Sequence, residues 1–157
     1  MNTEQFTATV RKSFGTAQTI ALRHHHQRMT DLHLLAGLIE DDGQAANRLL
    51  MRSGASIDAI TDGLETALEK LPQVTGSGAD NLQIDPALGR IVAEAEAWTK
   101  QRGDSFISVD AMLVALCASK GNAAKLLREA GLQVKQLEGV IDEMRKGAPL
   151  TVMSVTR

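Results

Sequence analysis

A chain of 157 residues, 43% hydrophobic and 23% charged, can build one sizeable core but is too short for a core plus a large appended enzyme. Its 17 Lys and Arg and 19 Asp and Glu leave a net charge of −2 and are intermixed along the chain, which excludes the basic stripe of a nucleic-acid binder and the composition of a disordered protein. Aromatic residues make up only 3%, so Leu, Ile, Val, Met and Ala must fill the core, as suits closely approaching helices.

Met1 to Gln5 lacks the positive start and apolar centre of a secretory signal, and nowhere do about 18 uncharged apolar residues run together. A soluble, cytoplasmic chain that neither spans nor binds a membrane is expected. A first helix is predicted from about residue 3 to residue 23, with Val10, Phe14, Ala17 and Ala21 on one face. It ends at His24, His25 and His26. Imidazole is a common metal ligand, but successive residues on a helix point about 100° apart, so a polar helix end explains this run better than a metal site. Thr30 is a good N-cap for a Leu-rich second helix, in which His33 reads as a hydrogen-bonded core histidine. A short third helix ends at Gly54, where a left-handed cap suits glycine, and Ile57, Ile60, Leu64 and Leu68 mark an amphipathic fourth. Residues 72–79, with one Pro and two Gly, form a connector.

The second half repeats the first. Ala17 falls on Ala95, an offset of 78 residues (95 − 17), and Phe6, Val10 and Phe14 then meet Ile84, Leu88 and Val92. Met29-Thr30 meets Ile107-Ser108, and one residue is lost before Leu49-Leu50 meets Leu126-Leu127 at an offset of 77 (126 − 49). Asp85 and Pro86 open the second copy's first helix, Ser108 its second, Gly131 closes its third, and Val134, Leu137, Val140, Ile141 and Met144 mark its fourth. The expected architecture is therefore all-α, a duplicated four-helix unit of about eight helices with a pseudo-twofold axis. Residues 1–147 form one domain of repeat one (3–71) and repeat two (80–147), and residues 148–157 are a tail or the start of a linker.

Several strings within this frame carry a family resemblance: Ala17-Gln18-Thr19-Ile20-Ala21-Leu22, His33-Leu34-Leu35, Leu71-Pro72-Gln73-Val74-Thr75-Gly76 and Arg102-Gly103-Asp104-Ser105-Phe106-Ile107-Ser108. Over about residues 3 to 147 the chain resembles the Clp amino-terminal domain, in the version carried by the ClpB disaggregases. The resemblance implies a mobile module that precedes two ATPase modules in a hexameric ring and captures exposed apolar segments of unfolded or aggregated proteins. It leaves open an adaptor-docking platform or a free-standing relative. ATP and Mg would belong to the downstream modules, since this sequence contains no Gly-x-x-x-x-Gly-Lys-Ser/Thr loop, and neither a cofactor nor a metal is assigned to these residues. The isolated domain is expected to be monomeric. The segment from Ala148 to Arg157 departs from the polar linker usual in the family.

Candidate binding residues come from two sources. In the helix after Pro86, Leu88, Val92 and Ala95 share one stripe, while Ile91 and Trp98 form a second beside it that could remain exposed, or could fill the junction between the copies. From the resemblance come Thr7, Asp104 and Asp110, the last where the family usually has glutamate, around an apolar groove at the seam between copies. By themselves these residues read as a surface hydroxyl, a turn residue after Gly103 and a first-turn acid behind the Ser108 cap. A partly acidic rim would suit substrates with basic as well as apolar residues. Cys117 lies in an apolar run with no base evident nearby, so no nucleophile is assigned.

Overall fold

A computed structural model of the chain describes residues 2–74 and 81–146. The predicted caps hold at most helix starts. Thr7 Oγ1 accepts from the Val10 amide and opens α1 (Ala8–Arg23). Thr30 precedes α2 (Asp31–Ile39), followed by α3 (Ala45–Arg52) and α4 (Ile57–Glu69), the last capped by Ser56 Oγ. In the second copy, Asp85 Oδ1 accepts from Ala87 N at 2.8 Å with Pro86 in the first turn of α5 (Pro86–Gln101). Ser108 Oγ caps α6 (Val109–Ala118), and α7 (Asn122–Glu129) and α8 (Val134–Arg145) follow. Gly54 and Gly131 close α3 and α7 with φ of +91° and +99°, the left-handed cap that glycine adopts without a Cβ clash.

The first helix starts later than its periodicity suggests. Thr3–Gln5 is a single 3-10 turn, and Phe6 and Thr7 are extended because their backbone is used elsewhere: Ile107 N donates to Gln5 O at 2.7 Å, and Thr7 N donates to Ile107 O at 3.0 Å. The matching contact joins two short parallel strands, β1 (Arg28–Met29) and β2 (Gln83–Ile84), in which Asp85 N donates to Met29 O at 3.0 Å. Phe6 pairs with Ile107 and Met29 with Ile84. The 78-residue offset converts one pair into the other, since Phe6 maps to Ile84 and Met29 to Ile107. The pseudo-twofold axis is therefore visible in backbone hydrogen bonds.

The helices obey the same exchange, with α2 against α7 as α6 is against α3, and α3 against α8 as α7 is against α4. A continuous core runs through both copies, from Phe6, stacked on Phe14 at 5.0 Å, to Leu137 and Ile141. Removing such apolar surface from water is the main stabilising term of the fold. At the seam, Ser56 N donates to Ala130 O at 3.0 Å, and Asp31 of the first copy accepts from Ala123 N at the start of α7 at 2.9 Å. The tail from Ala148 and connector residues 75–79 lie outside the described residues.

Candidate binding surfaces

Copy two gathers its polar residues around one side chain that the sequence did not single out. Arg145, in the last turn of α8, is only 3% exposed at its side chain. Its Nη1 donates to Asp104 at 2.8 Å, its Nη2 to Asp110 at 2.7 Å and to Ser108 Oγ at 3.3 Å, and its Nε to Asp110 at 2.9 Å. A buried guanidinium needs such a set of acceptors, because leaving water costs several kcal/mol per ion. The carboxylates of Asp104 and Asp110 are 0% and 3% exposed. The expected acidic rim is therefore not formed by these two, because Arg145 draws both inward.

Trp98 lies beside this cluster. Its ring centroid is 5.3 Å from the Arg145 guanidinium and 4.3 Å from that of Arg102, within the range of cation–π attraction. Its Nε1 donates to Glu138 Oε2 at 3.3 Å, and Arg102 is paired with both Glu138 and Asp142. The ring is half-buried and packs against the core. Ile91 is 5% exposed and belongs to the core, so of the two readings of the second stripe of α5 the open one does not hold at this residue. Thr7 is 1% exposed and bound to Ile107, the neighbour of Ser108, and is a buried cap rather than a surface hydroxyl.

Thus Trp98, Asp104 and Asp110 meet through Arg145, Thr7 joins them through the backbone beside Ser108, and Ile91 is part of the core. Arg145 had a signal in the sequence: it continues the apolar stripe of Leu137 and Ile141, where the 77-residue offset places Leu68 of copy one. A charge on such a stripe calls for buried partners. None of the five candidates lines the cleft at the seam between α4 and α7, a cavity of about 670 Å3 floored by Leu32, Leu71 and Leu126.

The corresponding corner of copy one is filled by histidines. The helix ends at Arg23, His25 has a φ of +58°, and the chain turns His26 inward to 2% exposure. His26 Nδ1 lies 2.8 Å from His33 Nε2, and the Thr30 backbone amide donates to His33 Nδ1 at 2.9 Å. Burial, and secondarily the neighbouring His26 and His24, push the His33 pKa down to about 4. The polar helix end expected at 24–26 is thus correct for the exposed His25 and wrong for His26. Among the described residues no group of three or more His, Cys, Asp or Glu could hold a metal ion, and no helix is long and apolar enough to cross a membrane. Cys117 is 3% exposed and burial raises its thiol pKa, which disfavours the nucleophilic thiolate.

Residues 5–144 match the family described as the Clp repeat (R) N-terminal domain. The chaperone protein ClpB of Rhodopseudomonas palustris is 38% identical over 148 residues, which cover 94% of this chain and 17% of that protein. ClpB of Brucella suis is 39% identical over the same shares. The chain thus spans about a sixth of the length of these relatives. Among solved structures, the Hsp104 N-terminal domain from Candida albicans superposes with a TM-score of 0.83 at 21% identity, covering 98% of this chain and 99% of that one. The N-terminal domain of the ClpV1 ATPase from E. coli gives 0.73 at 19% identity, covering 91% and 87%. At these identities the two structures establish the fold.

Proposed function

The chain belongs to the Clp repeat N-terminal domain family, and from that premise we propose that it captures exposed apolar segments of unfolded or aggregated polypeptides for an ATP-driven disaggregase ring. The observation that carries this reading is Trp98, a large half-buried ring of copy two, held in place by the Arg102 guanidinium over its ring and by Glu138 on its indole N–H. Rigid amphipathic rings of this kind are common anchors of binding surfaces. Capture here is burial, not chemistry: an apolar client side chain packs against the accessible part of the half-buried indole, and client carbonyls can meet the Arg102 guanidinium. A disordered client loses chain entropy on docking, so binding is weak and reversible, as handing over to a motor requires. ATP and Mg would act in modules outside these residues.

Trp98 is the only tryptophan, so its emission reports on this surface. Titration with a tryptophan-free unfolded polypeptide is expected to shift that emission and the amide resonances around Thr7, Trp98 and Asp104. Trp98→Ala should weaken binding about tenfold with the circular dichroism spectrum unchanged. Tight binding of one folded partner with no response to unfolded chains would instead indicate an adaptor-docking platform.

A further inference from the structure

The two copies fill the groove between their first, second and fourth helices differently. In copy two, Trp98 on α5 is bonded to Glu138, and Arg102 at the C-cap of α5 to Glu138 and Asp142, both on α8. The repeat offsets place Ile20 where Trp98 stands, His24 for Arg102, Thr61 for Glu138 and Glu65 for Asp142. Ile20 and His24 are shorter than their counterparts, and neither Thr61 nor Glu65 has an ion-pair partner among the described residues. A cleft of about 500 Å3 results, floored by Ile20, Ala36, Ile39, Leu64 and Leu68.

Its rim is acidic. Glu40, Glu65 and Glu69 line it and are exposed, and among the described residues none of the three is in an ion pair. Arg23 is the one Lys or Arg among its lining residues. An apolar floor under an acidic rim selects a ligand that is apolar at one point and cationic nearby. Copy two supplies the template, an aromatic ring with a guanidinium one helical turn away.

We propose that the α1–α2–α4 groove of copy one docks unfolded polypeptide segments in which a large apolar or aromatic residue is accompanied by Arg or Lys about one turn along the chain. The ring takes the place that Trp98 occupies in copy two, and the cation meets Glu65 as Arg102 meets Asp142. This rests on the capture reading and refines it, adding a second docking point with a preference for basic neighbours.

The test is an amide NMR titration of the 157-residue chain with a short unstructured peptide carrying Trp and Arg four residues apart, and with the same peptide carrying Glu in place of Arg. Shifts are expected at the end of α1 and along α4, about fivefold weaker for the Glu peptide and for the chain variant Glu65→Lys with Glu69→Lys. His24→Arg is an independent variant, expected to weaken the peptide by pairing internally with Glu65. Shifts confined to the surroundings of Trp98 and indifferent to all three changes overturn the inference and leave the capture reading standing. An absence of shifts on both surfaces overturns both.

Discussion

His33 is held in one protonation state by its hydrogen bonds. The Thr30 amide can only donate, so His33 Nδ1 accepts, and Nε2 must carry the proton that it gives to His26 Nδ1. His26 then carries its own proton on Nε2, which has no hydrogen-bond partner of good geometry. Its pKa is lowered by burial first and then by His24 and His25, against an opposing effect of the Leu68 backbone. A second proton on either ring would set donor against donor in a dry site. The unfolded chain binds that proton below about pH 6.5, whereas folded His33 resists it to about 4. Stability is therefore fully present above the unfolded pKa and falls with pH between the two values, by roughly 3 kcal/mol from His33 alone. Urea unfolding from pH 7.5 to 4 should show this loss. In His33→Gln it should be smaller, because glutamine takes up no proton in this range, while it can still reach back to the Thr30 amide in a capping box and keep the helix start intact. An identical pH slope in the two proteins would rule out His33 as the source.

At the scale of elements, α1 and α2 approach closely at Gly37. A Cβ on Gly37 would lie 2.3 Å from Ser13 O and 3.1 Å from Ala17 N, both backbone atoms of α1 that cannot swing aside. Gly37→Ala should therefore force the helices apart and cost about 3 kcal/mol in chemical unfolding, the upper part of the range for overpacking. Gly89→Ala, whose Cβ would meet nothing within 4 Å, is the control and should be neutral or slightly stabilising through helix propensity. Equal melting points for the two variants would refute the close-packing argument. Helix existence and capping were legible in the sequence because periodicity and caps are local: Thr30, Asp85, Ser108, Gly54 and Gly131 all mark element ends as read. The partners of Phe6 and Met29 were not, since two-residue parallel pairings between distant segments leave no periodic trace. His26 was misassigned for the same reason, because its inward turn depends on the left-handed His25 and on His33 beyond it.

At the scale of the whole molecule, duplication fixed where helices go while leaving each copy to fill the corner between its first, second and fourth helices with its own chemistry. Copy two uses the ions Asp104, Asp110 and Arg145; the repeat offsets place His26, Leu32 and Leu68 there in copy one, with His33 on Ala111. The seam location of the groove was implied by the family resemblance, but four of the five candidates lie in copy two, where Asp104, Asp110 and Trp98 meet the Arg145 ion, and Thr7 of copy one reaches them only through Ile107. If the two corners are physically equivalent, either chemistry should serve in either place. Arg145→Leu alone takes the guanidinium away from two buried carboxylates and should cost about 3–5 kcal/mol. Combining it with Asp104→His, Asp110→Leu and Ala111→His transplants the whole copy-one set, removes both carboxylates together with the guanidinium and lets the new histidine pair bond the Ser108 amide as His33 bonds that of Thr30. This fourfold variant should recover at least half of the loss in urea unfolding at pH 7.5, despite forfeiting the Arg145 contact with Trp98. It should also become more acid-sensitive than the parent, since a second buried histidine pair must then stay neutral. A fourfold variant no more stable than Arg145→Leu would mean that the corners share a backbone but not an environment, and that the ions of copy two are tied to its own surroundings.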